Sequence, residues 1–197
     1  MLSGHISYLP LRLSTLAHYL VESLGEIRHD TASTPVALIL SRRPGRRLSA
    51  VGEQSDTGST VSLVFLEVSQ AASSPSLPNE TGLEQPSGEM MSNSFVEYAA
   101  TKNKISLRTG CMCNPGGSAA ILGFEAAMEK FSPGITYEDF EDIAGRELGV
   151  VRISLGLVSD FSDVHRLLHF VREVIARDDE RKKVWLEWKL SKQHHHA

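Results

Sequence analysis

Two cysteines, Cys111 and Cys113, stand one residue apart in the stretch RTGCMCNPGG at residues 108–117, beside Arg108, three glycines and a proline. Gly110, Gly116 and Gly117 allow backbone angles closed to other residues, and Pro115 stops a strand from continuing. Such a loop holds a thiol out in solvent. A free cysteine with a pKa of about 8.5 is mostly protonated at neutral pH, and it attacks only as thiolate. Arg108 supplies one full positive charge, and a helix expected to begin after Asn114 would turn unpaired N–H groups toward the sulfur. Cys113 is the candidate nucleophile on this reading. The competing reading is a buried pair of small apolar thiols.

A zinc reading of Cys-Met-Cys is weaker. Structural zinc takes four ligands, usually with two to four residues between paired cysteines, whereas this chain has one pair with a single residue between. The histidine run at 194–196 suits a mobile tail, so no metal is expected. His5, His18, His29, His165 and His169 show neither triad nor metal spacing and read as surface or half-buried residues. Arg152 lies in an otherwise apolar run, Val-Val-Arg-Ile-Ser-Leu at residues 150–155, so its charge must find an anion or reach water.

The segment around the cysteines resembles the active-site loop of the molybdenum cofactor sulfurases, cysteine desulfurases of the class V aminotransferase fold. That family reads close to RTGCFCNPGA here, and the wider RTGxxC pattern selects Cys113 over Cys111. A second block, VVRISLGLVSDFSDVHRLLHFV at residues 150–171, is similar to the family's closing strand and helix. The resemblance implies that Cys113 forms the persulfide and that Arg152 holds the substrate α-carboxylate in a forked pair. It also implies that Arg108 helps to polarise the loop, with Cys111 as a possible secondary thiol. Cysteine and the molybdenum cofactor are the substrates so implied, and pyridoxal phosphate is the cofactor.

A pyridoxal phosphate enzyme holds its cofactor through a lysine, and no lysine precedes Lys102. None of the later ones sits in the histidine-lysine context that the family uses. The resemblance therefore covers the small C-terminal domain alone. The expected partner is a large pyridoxal phosphate-binding domain or a homologous subunit, without which the chain is expected to be inactive in desulfuration. Two alternatives stand beside this: a non-catalytic persulfide carrier or interaction module, and a family member recruited to specialised metabolism.

These residues must be positioned by an ordinary fold. The chain has 197 residues, 41% hydrophobic content and a formal charge of −4, which gives no field to gather nucleic acid or an anionic membrane. No run approaches the roughly 20 apolar residues that span a bilayer, and two cysteines form no secreted disulfide framework. A cytoplasmic protein is expected, in which the sequon at Asn79 stays unmodified.

Leu13, Leu16, Leu20 and Leu24 recur at helical spacing and predict a helix over residues 9–24. Residues 36–40 and 60–68 read as adjacent antiparallel strands, joined by a solvated loop at 42–58. The Ser-, Pro- and Gly-rich stretch 69–92 reads as a disordered insert. Beyond it come a helix at 95–100, a strand at 105–109 leading into the cysteine loop, helices at 117–130 and 137–148, a strand at 150–157 and one long helix from 162 to about 188. Trp185 and Trp188 on that helix are expected to pack a partner or the domain itself.

The expected organisation is residues 1–68 as one helix and two strands, 69–92 as the insert, 93–190 as the remainder of the domain and 191–197 as a tail. The expected fold class is α+β: an antiparallel or mixed sheet with helices on one face, as in the small C-terminal domain of the fold-type I pyridoxal phosphate-dependent transferases.

Overall fold

The computed structural model describes residues 7–68, 89–110, 122, 134, 136–144, 147 and 149–195. The first helix, α1 (Leu9–Glu26), opens with Pro10 in its first turn, where a missing N–H is harmless. Its apolar stripe at three- and four-residue spacing buries Leu16, Leu20 and Leu24 completely or nearly so. The expected pair of strands follows as β1 (Ala37–Ile39) and β2 (Thr60–Phe65), antiparallel with Ala37 opposite Phe65. On the other side of β2 lies β3 (Val151–Ser154), also antiparallel, with Ser62 opposite Arg152. Among the described residues the sheet therefore runs β1-β2-β3, and the fold is α+β.

Alternation along the strands sorts the side chains. Val61, Leu63, Phe65, Val151 and Ile153 join the core with α1, while Ser62 and Arg152 fall on the other face. Helix α2 (Asn93–Lys102) is capped by the Ser92 hydroxyl, which accepts from the Phe95 N–H, and buries Phe95 and Val96. Helix α3 (Tyr137–Ala144) is shorter than the expected 137–148, and Glu147 lies outside it.

Helix α4 (Phe161–Phe170) opens with a reciprocal capping box. The Asp160 carboxylate accepts from the Asp163 N–H, and the Asp163 carboxylate accepts from that of Asp160. The expected single helix from 162 to 188 is corrected here. After α4 the chain forms a π-helical turn, Val171–Ile175, in which the Ala176 N–H reaches back five residues to the Val171 carbonyl. A new helix, α5 (Asp178–His195), then starts, its first N–H accepted by the Asp30 carboxylate at 3.2 Å. Asp178, Asp179 and Glu180 occupy its first turn, where the helix dipole favours negative charge. The helix runs through residues assigned to the tail.

A second correction concerns residues 105–109. The turn ending α2 carries Lys104 at φ +58°, and the N–H groups of Lys104 and Ile105 bond back to Thr101 and Ala100. That turn carries the chain wide of β3. Only Arg108 makes a bridge, to Arg152, and upstream of it a cavity of about 200 Å³ opens over Ile153, Val164 and Leu167. Strand β2 likewise stops at Phe65, with Leu66 making one bridge to Met90. Of the helix expected at 117–130 only Leu122 is described, helical and buried, and residues 69–88 of the insert lie outside the described residues.

Trp185 and Trp188 pack within the domain. Phe95 meets both edge-on, at ring-centroid distances of 4.9 and 5.8 Å. Lys189 and Lys192 lie over the outer faces of the two indoles. Among the described residues no helix is long and apolar enough to cross a membrane.

Candidate functional site

Arg108 and Arg152 are brought together by backbone pairing. The Arg152 N–H donates to the Arg108 carbonyl at 2.7 Å, and the Arg108 N–H returns a bond to the Arg152 carbonyl at 3.3 Å. In an antiparallel ladder two residues that exchange both bonds have Cα atoms about 5.5 Å apart and side chains on one face. That face is the one turned away from the core, because Val151 and Ile153 on either side of Arg152 are buried in it. Ser62 stands on the same face, opposite Arg152 on the inner strand.

The pairing has an electrostatic cost. Like charges directly opposite on neighbouring strands destabilise a sheet. Neither guanidinium finds a carboxylate among the described residues to offset that. Arg108 is exposed, and the buried Nε of half-buried Arg152 has no hydrogen-bond partner in the structure. A guanidinium binds a carboxylate through two parallel N–H groups, and Nε–H with one Nη–H forms such a fork. Arg152 thus offers an unused donor on a face that already carries a second cation. This arrangement can bind an anion.

The approach to the cysteines is fixed two residues beyond. Gly110 sits at φ +102°, a conformation that side-chain-bearing residues avoid, and its carbonyl accepts from the Val150 N–H at 3.1 Å. Thr109 is tied to α2 through its hydroxyl, which donates to Glu97 at 2.7 Å. Gly110 and Val150, the residue that leads into β3, are therefore held side by side. Cys111 and Cys113 themselves lie outside the described residues.

Glu147, just upstream of β3, was missed in the sequence. Its carboxylate accepts from the Ser94 N–H and the Ser92 hydroxyl, each at 2.8 Å, and from the Ser94 hydroxyl. Burial raises its pKa, but the hydrogen bonds from Ser94 and Ser92 and the charge of Lys192 outweigh that and leave it below the ordinary glutamate value. The only sequence signal was Ser92 as an N-cap lacking a glutamate three residues on. The partner carboxylate comes instead from residue 147.

Among the described residues no group of three or more His, Cys, Asp or Glu side chains could hold a metal ion. The described lysines do not suit a pyridoxal phosphate Schiff base either. That task needs a lysine amine made reactive by burial or a neighbouring cation. Lys102, Lys182 and Lys183 are instead paired with Glu187, Asp178 and Glu180 at the surface, Lys104 is exposed on the turn ending α2, and Lys189 and Lys192 cover the tryptophans. The hydrogen bond to Glu187 raises the Lys102 pKa, the reverse of what imine formation requires. Lys130 lies outside the described residues.

Comparison with known proteins finds no matching family model and no matching solved structure. Curated relatives are found. The chain is 37% identical over 94 residues to a protein of Aspergillus clavatus named molybdenum cofactor sulfurase, covering 46% of this chain and 11% of that protein. Proteins of the same name from Neurospora crassa and Emericella nidulans are 39% and 38% identical over 94 residues, again 46% of this chain and 10% and 11% of theirs. The match thus spans about a tenth of the length of these relatives.

Proposed function

We propose that this chain is a C-terminal part of a molybdenum cofactor sulfurase-like cysteine desulfurase, the small domain of a fold-type I transferase, with Cys113 as the persulfide-forming nucleophile. The observation that carries the reading is the Arg108–Arg152 bridge, which puts the two arginines side by side on the sheet face turned from the core, with Arg108 a few residues before the cysteines in sequence. The likeness to relatives named molybdenum cofactor sulfurase supports the same reading.

Arg152 then holds the α-carboxylate of cysteine through its Nε and Nη donors. Arg108 adds positive potential close to the nucleophile, which favours thiolate over thiol. The Cys113 thiolate attacks the sulfur of the bound amino acid. A sulfur–sulfur bond would form and the carbon–sulfur bond break, the electron pair going to a carbon skeleton that takes a proton to become alanine; pyridoxal phosphate held by a large domain would have to supply the electron sink for this cleavage. The outer sulfur of the persulfide is the atom offered to the molybdenum cofactor as acceptor. Cys111 is a candidate secondary thiol.

The described lysines give no anchor for pyridoxal phosphate, so the chain's share of the reaction is anion binding and sulfur acceptance. Desulfuration from free cysteine is assigned to the chain only together with a large domain or subunit that holds the cofactor. The same lack favours a second reading, a persulfide carrier charged by a separate desulfurase.

The test is to incubate the purified chain with cysteine, with and without an independent desulfurase, and to map persulfide by mass spectrometry. Both readings expect sulfur on Cys113 with the desulfurase present and none in Cys113→Ser. Loading on Cys111 alone, or on neither thiol, overturns both. Release of alanine by the chain alone would exclude the need for a second component.

A further inference from the structure

His29 and Arg181 form a buried polar contact, and nothing in the proposed chemistry uses it. His29 is 1% exposed and Arg181 6%, which corrects the expectation of a surface or half-buried histidine. Each ring nitrogen has a close polar partner, and the Ala176 carbonyl adds a second backbone acceptor beside the ring. Nε2 lies 2.9 Å from the Leu66 carbonyl, which can only accept, so Nε2 carries the hydrogen. Nδ1 lies 3.3 Å from Nη1 of Arg181, which can only donate, so Nδ1 is the acceptor. The Leu66 and Arg181 contacts thus favour a neutral imidazole with its hydrogen on Nε2, while the Ala176 carbonyl favours the charged ring.

Arg181 converges three parts of the fold on this ring. Its Nη1 also donates to the Ile175 carbonyl at 3.0 Å, at the end of the π-helical turn. Its Nη2 pairs with Asp178 in the first turn of α5, and its Nε lies 3.7 Å from Glu67, just past β2. Asp30, next to the histidine, accepts the Asp178 N–H and donates its own N–H to the Ala176 carbonyl at 3.2 Å. The start of α5 is therefore fastened to the turn after α1 and to the end of β2, with the His29–Arg181 contact at the junction.

We infer that the His29–Arg181 contact is a protonation-sensitive latch: a proton taken up at Nδ1 sets two donors and two positive charges face to face, expels the guanidinium and loosens α5. The charged groups facing the ring are Arg181 and Asp178 from α5, Glu67 from the end of β2 and Asp30 from its own turn, with Glu89 opposing Glu67.

The sign follows from burial, which together with the charge of Arg181 outweighs the backbone hydrogen bonds and lowers the His29 pKa below its ordinary 6.5. A lowered folded-state pKa means that the unfolded chain binds the proton first. Stability is complete above pH 6.5 and is lost as pH falls from there through the folded-state value, by up to about tenfold in the folding constant per pH unit. Glu67 works against this. Burial raises its pKa despite Arg181, so its protonation near the acid end favours the folded chain.

Two measurements test the latch on the full chain. Nitrogen chemical shifts of the His29 ring are expected to show the Nε2–H tautomer and a midpoint below 6.5. An Nδ1–H tautomer, or a midpoint at or above 6.5, overturns the proposal even if no variant folds. Urea unfolding read by Trp185 and Trp188 fluorescence from pH 8 to 5 should show the wild-type loss below 6.5. In His29→Gln the loss should shrink by the His29 share, because a glutamine amide donates to Leu66 and accepts from Arg181 without titrating. Equal slopes in the two proteins overturn it. Glu67→Gln should keep the wild-type step and make it steeper, whereas its disappearance would assign the step to Glu67.

Discussion

Arg108 and Arg152 face one another across a single backbone bridge, so that two cations share one side of the sheet with no carboxylate between them among the described residues. Packing alone gives no reason for that choice. An uncharged side chain at either position would satisfy the ladder equally, and the bridge is formed entirely by main-chain groups. The repulsion is tolerable because Arg108 is exposed and water screens it. A function that needs an anion held on this face would account for retaining both charges.

Arg108→Gln is accordingly expected to leave the fold intact and to stabilise it slightly, by about 0.2–0.5 kcal/mol, the scale of one opposed cross-strand pair. Anion binding, followed by titration with acetate or cysteine, is expected to weaken. A clear loss of stability in urea unfolding would instead mean that the Arg108 side chain supports the structure.

Arg152→Lys tests the fork. Lysine keeps the charge but loses the planar pair of donors, so a bidentate carboxylate site should lose most of its affinity while a site that needs only positive potential should not. Comparing carboxylate titrations of Arg152→Lys and Arg152→Gln separates the two. Equal retention in Arg152→Lys and wild type would rule out forked recognition.

Phe95→Ala should be the most damaging single change in the aromatic cluster. Phe95 is fully buried and meets Trp185 and Trp188 edge-on, so its removal costs both apolar burial and the ring contacts. Loss of about 3–5 kcal/mol is expected from truncating a buried phenylalanine. Urea unfolding gives the magnitude, and a red shift of native tryptophan emission shows whether water reaches the two indoles.

Much of this arrangement was legible in the chain. The leucines of α1 at three- and four-residue spacing and the β-branched runs of β1 and β2 declared their structure because each buries one face, and burial imposes periodicity. The pairing of Arg108 with Arg152 was not legible, since a single bridge leaves no pattern. The strand expected at 105–109 failed because the turn ending α2, with Lys104 at positive φ, decides where the chain meets β3. The break between α4 and α5 did carry a signal: Asp178, Asp179 and Glu180 form an acidic first turn and mark a helix start inside an apparently continuous periodic run. His29 looked like any isolated histidine, because its partners come from residues 66 and 181.

Asp160→Ala removes one half of the capping box and exposes the first N–H groups of α4 to an unfilled end. A loss of about 1 kcal/mol is expected for such a cap. Asp160→Asn should recover most of it, since an amide oxygen can still accept from the Asp163 N–H. If alanine and asparagine cost the same in thermal or urea unfolding, the cap contributes through something other than that acceptor.

Glu147 supplies the last and most specific pH dependence. Its carboxylate lies at the start of α2 and accepts from two serine hydroxyls and one N–H, so its charged form is stabilised against the cost of partial burial. The folded-state pKa is lowered, which makes the contribution complete above the ordinary glutamate value of 4.5 and lost as pH falls through the lower folded-state value. Glu147→Gln should therefore reduce stability at pH 7 and flatten the stability profile between pH 5 and 3, a window below that of His29. A glutamine can still accept from Ser94 but brings no charge toward Lys192 or the start of the helix, so Ser94→Ala in the Glu147→Gln background should add less than it does alone. Additive losses in that double-mutant cycle would show that the serine and the glutamate stabilise the fold independently, and the staple between α2 and the segment entering β3 would have to be abandoned.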